Sequence, residues 1–86
     1  MRSIMNVEKE IIKIIIEHLG VSPDEITKES SLTRDLNASQ LEINDLILAL
    51  QDHFKLKIPE EELANLEKVG DIITYISDHL DEPSAN

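Results

Sequence analysis

The sequence predicts an all-α domain, and three observations carry that prediction. Apolar residues recur at spacings of three and four in separate stretches of the chain. Ser39-Gln40-Leu41-Glu42 has the form of a capping box, the signature of a helix start. Ile, Leu and Val together number 27 of the 86 residues, while aromatic residues make up only 2%. That is enough aliphatic side chain for one modest core, and it argues against a disordered acidic segment.

The elements follow in order. Ile4, Val7, Ile11, Ile15 and Leu19 form a helical stripe, and Ile12, Ile14 and Ile16 widen it. The first helix is therefore expected to be buried on more than one side. Gly20 suits the position just past its end, where a left-handed residue often stops a helix. Val21-Ser22-Pro23 then turns the chain, because the residue before proline avoids the helical region. From Asp24 to Ala38 there is no long periodicity. One helical turn is expected near Pro23-Asp24-Glu25, with Ile26, Leu32 and Leu36 as scattered anchors. A loop of this length in a small domain is usually functional.

After the capping box, Ile43, Leu46, Ile47, Leu50 and Phe54 mark the inner face of a second helix. Glu42, Asp45 and Asp52, with Asn44 and Gln51, mark its outer face. Pro59-Glu60-Glu61-Glu62-Leu63 suits a short third helix, with proline in its first turn and acids near its positive dipole end. Val69, Ile72, Ile73, Ile76 and Leu80 define the last helix. Residues 1–80 read as one domain and 81–86 as a frayed polar tail.

Charge excludes several functions. Eight Lys+Arg stand against 18 Asp+Glu, a net charge of −10. Most of the excess lies after residue 38, so the second helix presents an acidic face. Such a chain is not expected to bind nucleic acid or an anionic membrane, and it suits a basic patch on a protein partner. The charge also favours a monomer. The absence of cysteine excludes disulfides, thiolate metal sites and a cysteine nucleophile. No apolar run near the start is long enough for a signal segment or a membrane span, so the cytoplasm, or an organelle interior, is the expected compartment.

Motifs for chemistry are sparse. His18, His53 and His79 show no metal-ligand spacing, and no metal site is expected. Glu60-Glu61-Glu62 reads as a helix start rather than a cation site. Asn37-Ala38-Ser39 matches a glycosylation sequon, discounted without a secretory signal. Asp35-x-Asn37-x-Ser39 begins like a calcium loop, but Gln40 and Leu46 stand where that loop needs Gly and Glu. No nucleophile–base pair, phosphate loop or metal motif is present, so no catalytic residue is assigned and the chain is not expected to be an enzyme.

The residues do resemble a known family. Asp35-Leu36-Asn37-Ala38-Ser39-Gln40-Leu41, then Asp45-Leu46, Ala49-Leu50 and Phe54, look like the heart of an acyl carrier protein. Ile58-Pro59-Glu60-Glu61-Glu62 and Val69-Gly70-Asp71 through Tyr75-Ile76 are similar to that family's later segments, as are Gly20-Val21, Ile26 and Ser31-Leu32 to its first loop. The resemblance covers roughly residues 4 to 80. It implies a four-helix bundle with a long first loop and a short third helix. It implies a carrier that holds acyl intermediates as thioesters on a 4′-phosphopantetheine arm for fatty-acid, lipid or polyketide synthesis. A phosphopantetheinyl transferase using coenzyme A would attach the arm to a serine. Asp35, Leu41, Glu42, Asp45, Leu48 and Asp52 would dock on basic patches of synthases and acyl-transferring enzymes.

One departure matters. Gln40 occupies the position of the attachment serine, and glutamine cannot form the phosphodiester. Ser39, one residue earlier, stands where the family has aspartate. It is either a displaced attachment site or only a helix cap. In the second case the chain carries no cofactor and is an interaction or regulatory module without an arm. Asn37 replaces a glycine of the family pattern, and Asn44 replaces an apolar residue.

Overall fold

The computed structural model describes residues 4–80, with side chains from Val7 onward; the expected tail at 81–86 lies outside the described residues. Helix α1 spans Ile4–Leu19, α2 Gln40–Phe54, α3 Glu60–Leu63 and α4 Val69–Leu80. A 3₁₀ turn at Pro23–Glu25 follows α1. Helix α1 packs against both α2 and α4.

The apolar stripes explain that packing. Val7, Ile11 and Ile15 of α1 are buried, and Ile12 and Ile14 are partly buried against the same core. They meet Leu46, Ile47, Leu50 and Phe54 of α2 and Val69, Ile72, Ile73 and Ile76 of α4 in one cluster. Each such side chain contributes about 1.5–3 kcal/mol when fully buried, opposed by the conformational entropy of the ordered chain. The expected two-sided burial of α1 is therefore what joins the other two long helices.

Helix ends follow the sequence signals closely. Gly20 has φ +68° and its N–H donates to the Ile16 carbonyl at 2.9 Å, closing α1. Lys55, at φ 57°, closes α2, and its N–H donates to the Gln51 carbonyl. Pro59 stands just before α3 as its N-cap, rather than inside the first turn. Its fixed φ prepares the chain for the helix from outside, and the first turn holds Glu60, Glu61 and Glu62.

The segment between α1 and α2 is more ordered than its irregular sequence suggests. Ser31 pairs with Lys68 in an isolated antiparallel bridge. Around it, the Leu32 N–H donates to the Glu67 carbonyl at 2.9 Å and the Val69 N–H to the Ser30 carbonyl at 3.0 Å. Next in line, the Gly70 N–H donates to the Lys28 carbonyl at 2.9 Å. A Cβ at Gly70 would lie 2.9 Å from that carbonyl oxygen, so the close approach needs glycine. Leu32, Leu36 and Ala38 drop into the core, with Ser30 also buried. The Ser30 hydroxyl accepts from the Thr27 N–H at 3.0 Å.

Asn37 has φ 57°, the left-handed region that suits glycine and, next, asparagine. This is why asparagine can stand where the related pattern has glycine. Asn37→Gly should leave stability nearly unchanged. Asn37→Val should cost about 1–2 kcal/mol or more, because a β-branched residue tolerates this conformation least. Urea unfolding of both variants checks this; a valine variant as stable as the parent contradicts it.

Candidate functional site

The site is built at the junction of this loop with α2. Ala38 is buried and fixes the end of the loop, with its N–H donating to the Leu32 carbonyl at 2.8 Å. Ser39 follows in extended conformation, φ −79° and ψ 166°, as the N-cap. Its Oγ accepts from the Glu42 N–H at 3.2 Å, and the Glu42 carboxylate accepts from the Ser39 N–H at 2.9 Å. The capping box foreseen in the sequence is complete, each half satisfying one backbone donor at the helix start.

Ser39 is nevertheless exposed. Its hydroxyl oxygen accepts a hydrogen bond, while its O–H proton goes to no acceptor among the described residues. The head of a 15-residue helix suits the negative charge of a phosphodiester, since backbone N–H groups and the helix dipole point toward it. The adjacent Glu42 carboxylate works against that charge. An exposed hydroxyl of this kind fits a phosphopantetheine arm.

Gln40 opens α2 and is also exposed. Its Nε2 donates to Asn44 Oδ1 at 3.2 Å, one turn along the helix. Two of the departures from the family pattern thus bond to each other. Gln40 and Asn44 also border a cleft of about 430 Å³ between the loop and the α2–α3 region. A second, smaller cleft of about 320 Å³ lies farther along α2, beside Ile47, Ile58 and Leu63. The Gln51 side chain holds its wall, accepting from the Ile58 N–H at 2.8 Å.

The expected docking residues separate into two groups. Leu41, Asp45, Leu48 and Asp52 fall at intervals of four, three and four on α2 and are all exposed. Leu41 is 70% and Leu48 62% exposed, the two large apolar side chains of α2 that the core leaves out. Asp35 and Glu42 have structural work besides. The Asp35 carboxylate accepts from the Ser31 N–H at 2.7 Å, tying the loop together, and Glu42 belongs to the cap.

The histidines are held apart. His53 Nε2 lies 2.9 Å from the Glu10 carboxylate, linking α2 to α1. His79 Nδ1 is 2.8 Å from the Tyr75 carbonyl, and its ring stacks on Tyr75 at 4.0 Å. Burial, and then the Glu62 carboxylate, push the Tyr75 phenol above its ordinary range. Among the described residues no three His, Asp or Glu side chains gather as a metal site. No described helix is long and apolar enough to cross a membrane.

Four helices and a long ordered loop form a small all-α bundle, in which the loop meets an acidic helix at an exposed junction. The family model described as a phosphopantetheine attachment site matches residues 9–76. An acyl carrier protein of Chlamydia trachomatis serovar L2 is 40% identical over 75 residues, which is 87% of this chain and 97% of that protein. One from Wolinella succinogenes is 36% identical over 72 residues, covering 84% and 95%. A solution structure from Anaplasma phagocytophilum, described as an acyl carrier protein, superposes with a TM-score of 0.78 at 28% identity, covering 85% of this chain and 86% of that one. The chain belongs to the acyl carrier protein family. That family consists of carriers rather than catalysts.

Proposed function

We propose that this chain carries acyl groups on a 4′-phosphopantetheine arm esterified to Ser39, one residue before the family position. The observation that carries the reading is the exposed Ser39 hydroxyl at the head of α2, with its proton uncommitted. Gln40 offers no hydroxyl, and Ser39 is the neighbouring residue that does. In the transfer, Ser39 Oγ attacks the pyrophosphate phosphorus that bears the pantetheine of coenzyme A; a P–O bond to serine forms, the P–O–P bond breaks, and adenosine 3′,5′-bisphosphate leaves. The serine proton passes to a base on the transferase. The attached arm supplies the thiol that holds an acyl group as a thioester.

The chain's own residues do the rest. The esterified oxygen can still accept from the Glu42 N–H, so α2 keeps part of its cap. Leu41 and Leu48 provide apolar contact for a partner enzyme, and Asp45 and Asp52 provide charge for a basic patch around it. We assign this work to one monomeric domain over residues 1–80, acting in the cytoplasm. Its cargo belongs to fatty-acid, lipid or polyketide synthesis.

Intact mass after incubation with coenzyme A and a broad-specificity phosphopantetheinyl transferase tests the attachment. Gain of one phosphopantetheinyl group supports it; an unchanged mass, beside a conventional carrier that is modified, overturns it and leaves an armless interaction module. Docking is tested separately. Asp45→Lys with Asp52→Lys leaves the Glu42 cap intact, and should slow association with an acyl-transferring enzyme about tenfold or more at low salt, with the gap closing at high salt. An unaltered association rate rejects the acidic-helix account.

A further inference from the structure

Between Lys28 and Lys55 the chain holds no Lys or Arg except Arg34, set against Glu29, Asp35, Glu42, Asp45 and Asp52. That stretch contains most of the loop, the head of α2 and the whole row of exposed docking side chains. Arg34 is exposed, and its guanidinium takes part in no ion pair among the described residues. Only its backbone N–H is engaged, donating to Ser31 Oγ at 3.2 Å. The lysines of the loop and its bridge differ in this respect. Lys28 Nζ is 3.5 Å from the Glu8 carboxylate and Lys68 Nζ 3.3 Å from that of Glu29, so both charges are already answered. Arg34 borders the same space as Gln40 and Asn44 of α2. Each of these precedes a docking residue, Leu41 or Asp45, by one position. The unanswered cation therefore stands at the edge of the surface that a partner would cover.

We propose that Arg34 determines partner specificity: it selects an enzyme whose basic patch includes one carboxylate placed to meet the guanidinium, and disfavours an enzyme whose patch is basic throughout. This rests on the reading of Asp45 and Asp52 as docking charges. A patch of Lys and Arg drawn to those two acids brings like charge against Arg34. Discrimination between similar partners needs a repulsive element beside the attractive one, and Arg34 supplies it. A guanidinium stays charged and presents parallel N–H donors that match a carboxylate in geometry, so the right partner gains where the wrong one loses. A chain of net charge −10 is attracted to any basic surface. This one cation distinguishes among such surfaces.

The test is stopped-flow association with an acyl-transferring enzyme chosen for a carrier-facing surface that is basic and lacks Asp and Glu. At about 0.1 M salt, charge is screened over about 10 Å. Helix α2 has 15 residues and is about 22 Å long, so its two ends are read separately. Arg34→Glu should associate about threefold faster than the parent, and Arg34→Gln should gain less. The bond to Ser31 uses the backbone N–H, so neither change removes it. Lys57→Glu makes the same change of charge beyond the other end of α2 and should leave the rate nearly unchanged. At about 1 M salt the gain of Arg34→Glu should vanish. In the reverse arm, lysines and arginines of the enzyme's patch are changed singly to glutamate. At least one change should slow Arg34→Glu about threefold more than it slows the parent. An Arg34→Glu rate equal to the parent's, an equal gain in Lys57→Glu, or no enzyme change that couples to position 34 would each overturn the proposal. Asp45→Lys with Asp52→Lys in the same assay keeps the two readings apart. If that pair slows association while Arg34→Glu does nothing, the acidic-helix account stands and the role of Arg34 falls; if neither has an effect, both fall.

Discussion

Replacing Ser39 with Asp should abolish attachment of the arm while leaving the bundle folded. Aspartate is a good N-cap, so the substitution removes the hydroxyl but keeps an acceptor for the Glu42 N–H. Ser39→Ala removes both and should cost about 1 kcal/mol in addition. Incorporation should therefore be lost in both variants, and only the alanine variant should melt measurably lower. The double change Ser39→Asp with Gln40→Ser restores the family order and should regain an arm, now at position 40. This second arm of the experiment separates two causes of failure. If the double variant is modified and the parent is not, transferase recognition is intact and only the hydroxyl's position is at fault. Persistent incorporation in Ser39→Asp would mean that another hydroxyl carries the arm.

The second large effect is on stability. Leu46 is fully buried on α2, within the cluster that joins α2 to α1 and α4. Leu46→Ala should cost about 2–5 kcal/mol, from lost transfer energy and the cavity left behind. A domain of 86 residues has a total stability of only roughly 4–13 kcal/mol, so this change removes a large share of it. Leu48→Ala, two positions along the same helix but 62% exposed, should change stability by about 0.5 kcal/mol or less. Urea unfolding of the pair gives the comparison directly. Similar midpoints for the two variants would contradict the packing described for α2. Leu46 holds the helix in the bundle, while Leu48 faces solvent.

The long helices were legible because their apolar residues repeat with the helical period, and because Ser39 and Glu42 stand three apart. The end of α1 was legible because Gly20 takes a conformation that other residues avoid. The loop before α2 was legible only in part: its turn at Pro23–Glu25 and its buried anchors Leu32 and Leu36 were, its long-range pairing was not. Its order comes from the Ser31–Lys68 bridge, which joins residues far apart in sequence with no local pattern to announce it. The burial of Ala38, Ile58 and Leu66 is equally tertiary, since each is a single apolar residue in a connecting segment. Asp35 shows the same limit from the other side. As an acid before the helix it reads as a docking charge, yet its carboxylate clamps the Ser31 N–H. At the site, the capping-box spacing brought out Ser39, and the resemblance to acyl carrier proteins brought out Gln40. It gave no sign that Gln40 would reach Asn44, or that both would border a cleft shared with Arg34 and Lys68.

We propose that a carrier of this family uses a hydroxyl displaced by one residue. Fragment mass spectrometry of the parent chain, after reaction with coenzyme A and a phosphopantetheinyl transferase, tests it most directly. A single phosphopantetheinyl group is expected on the fragment containing Ala38-Ser39-Gln40, localised to Ser39. An unmodified fragment, or a group on Ser31 or Thr33 instead, would contradict it.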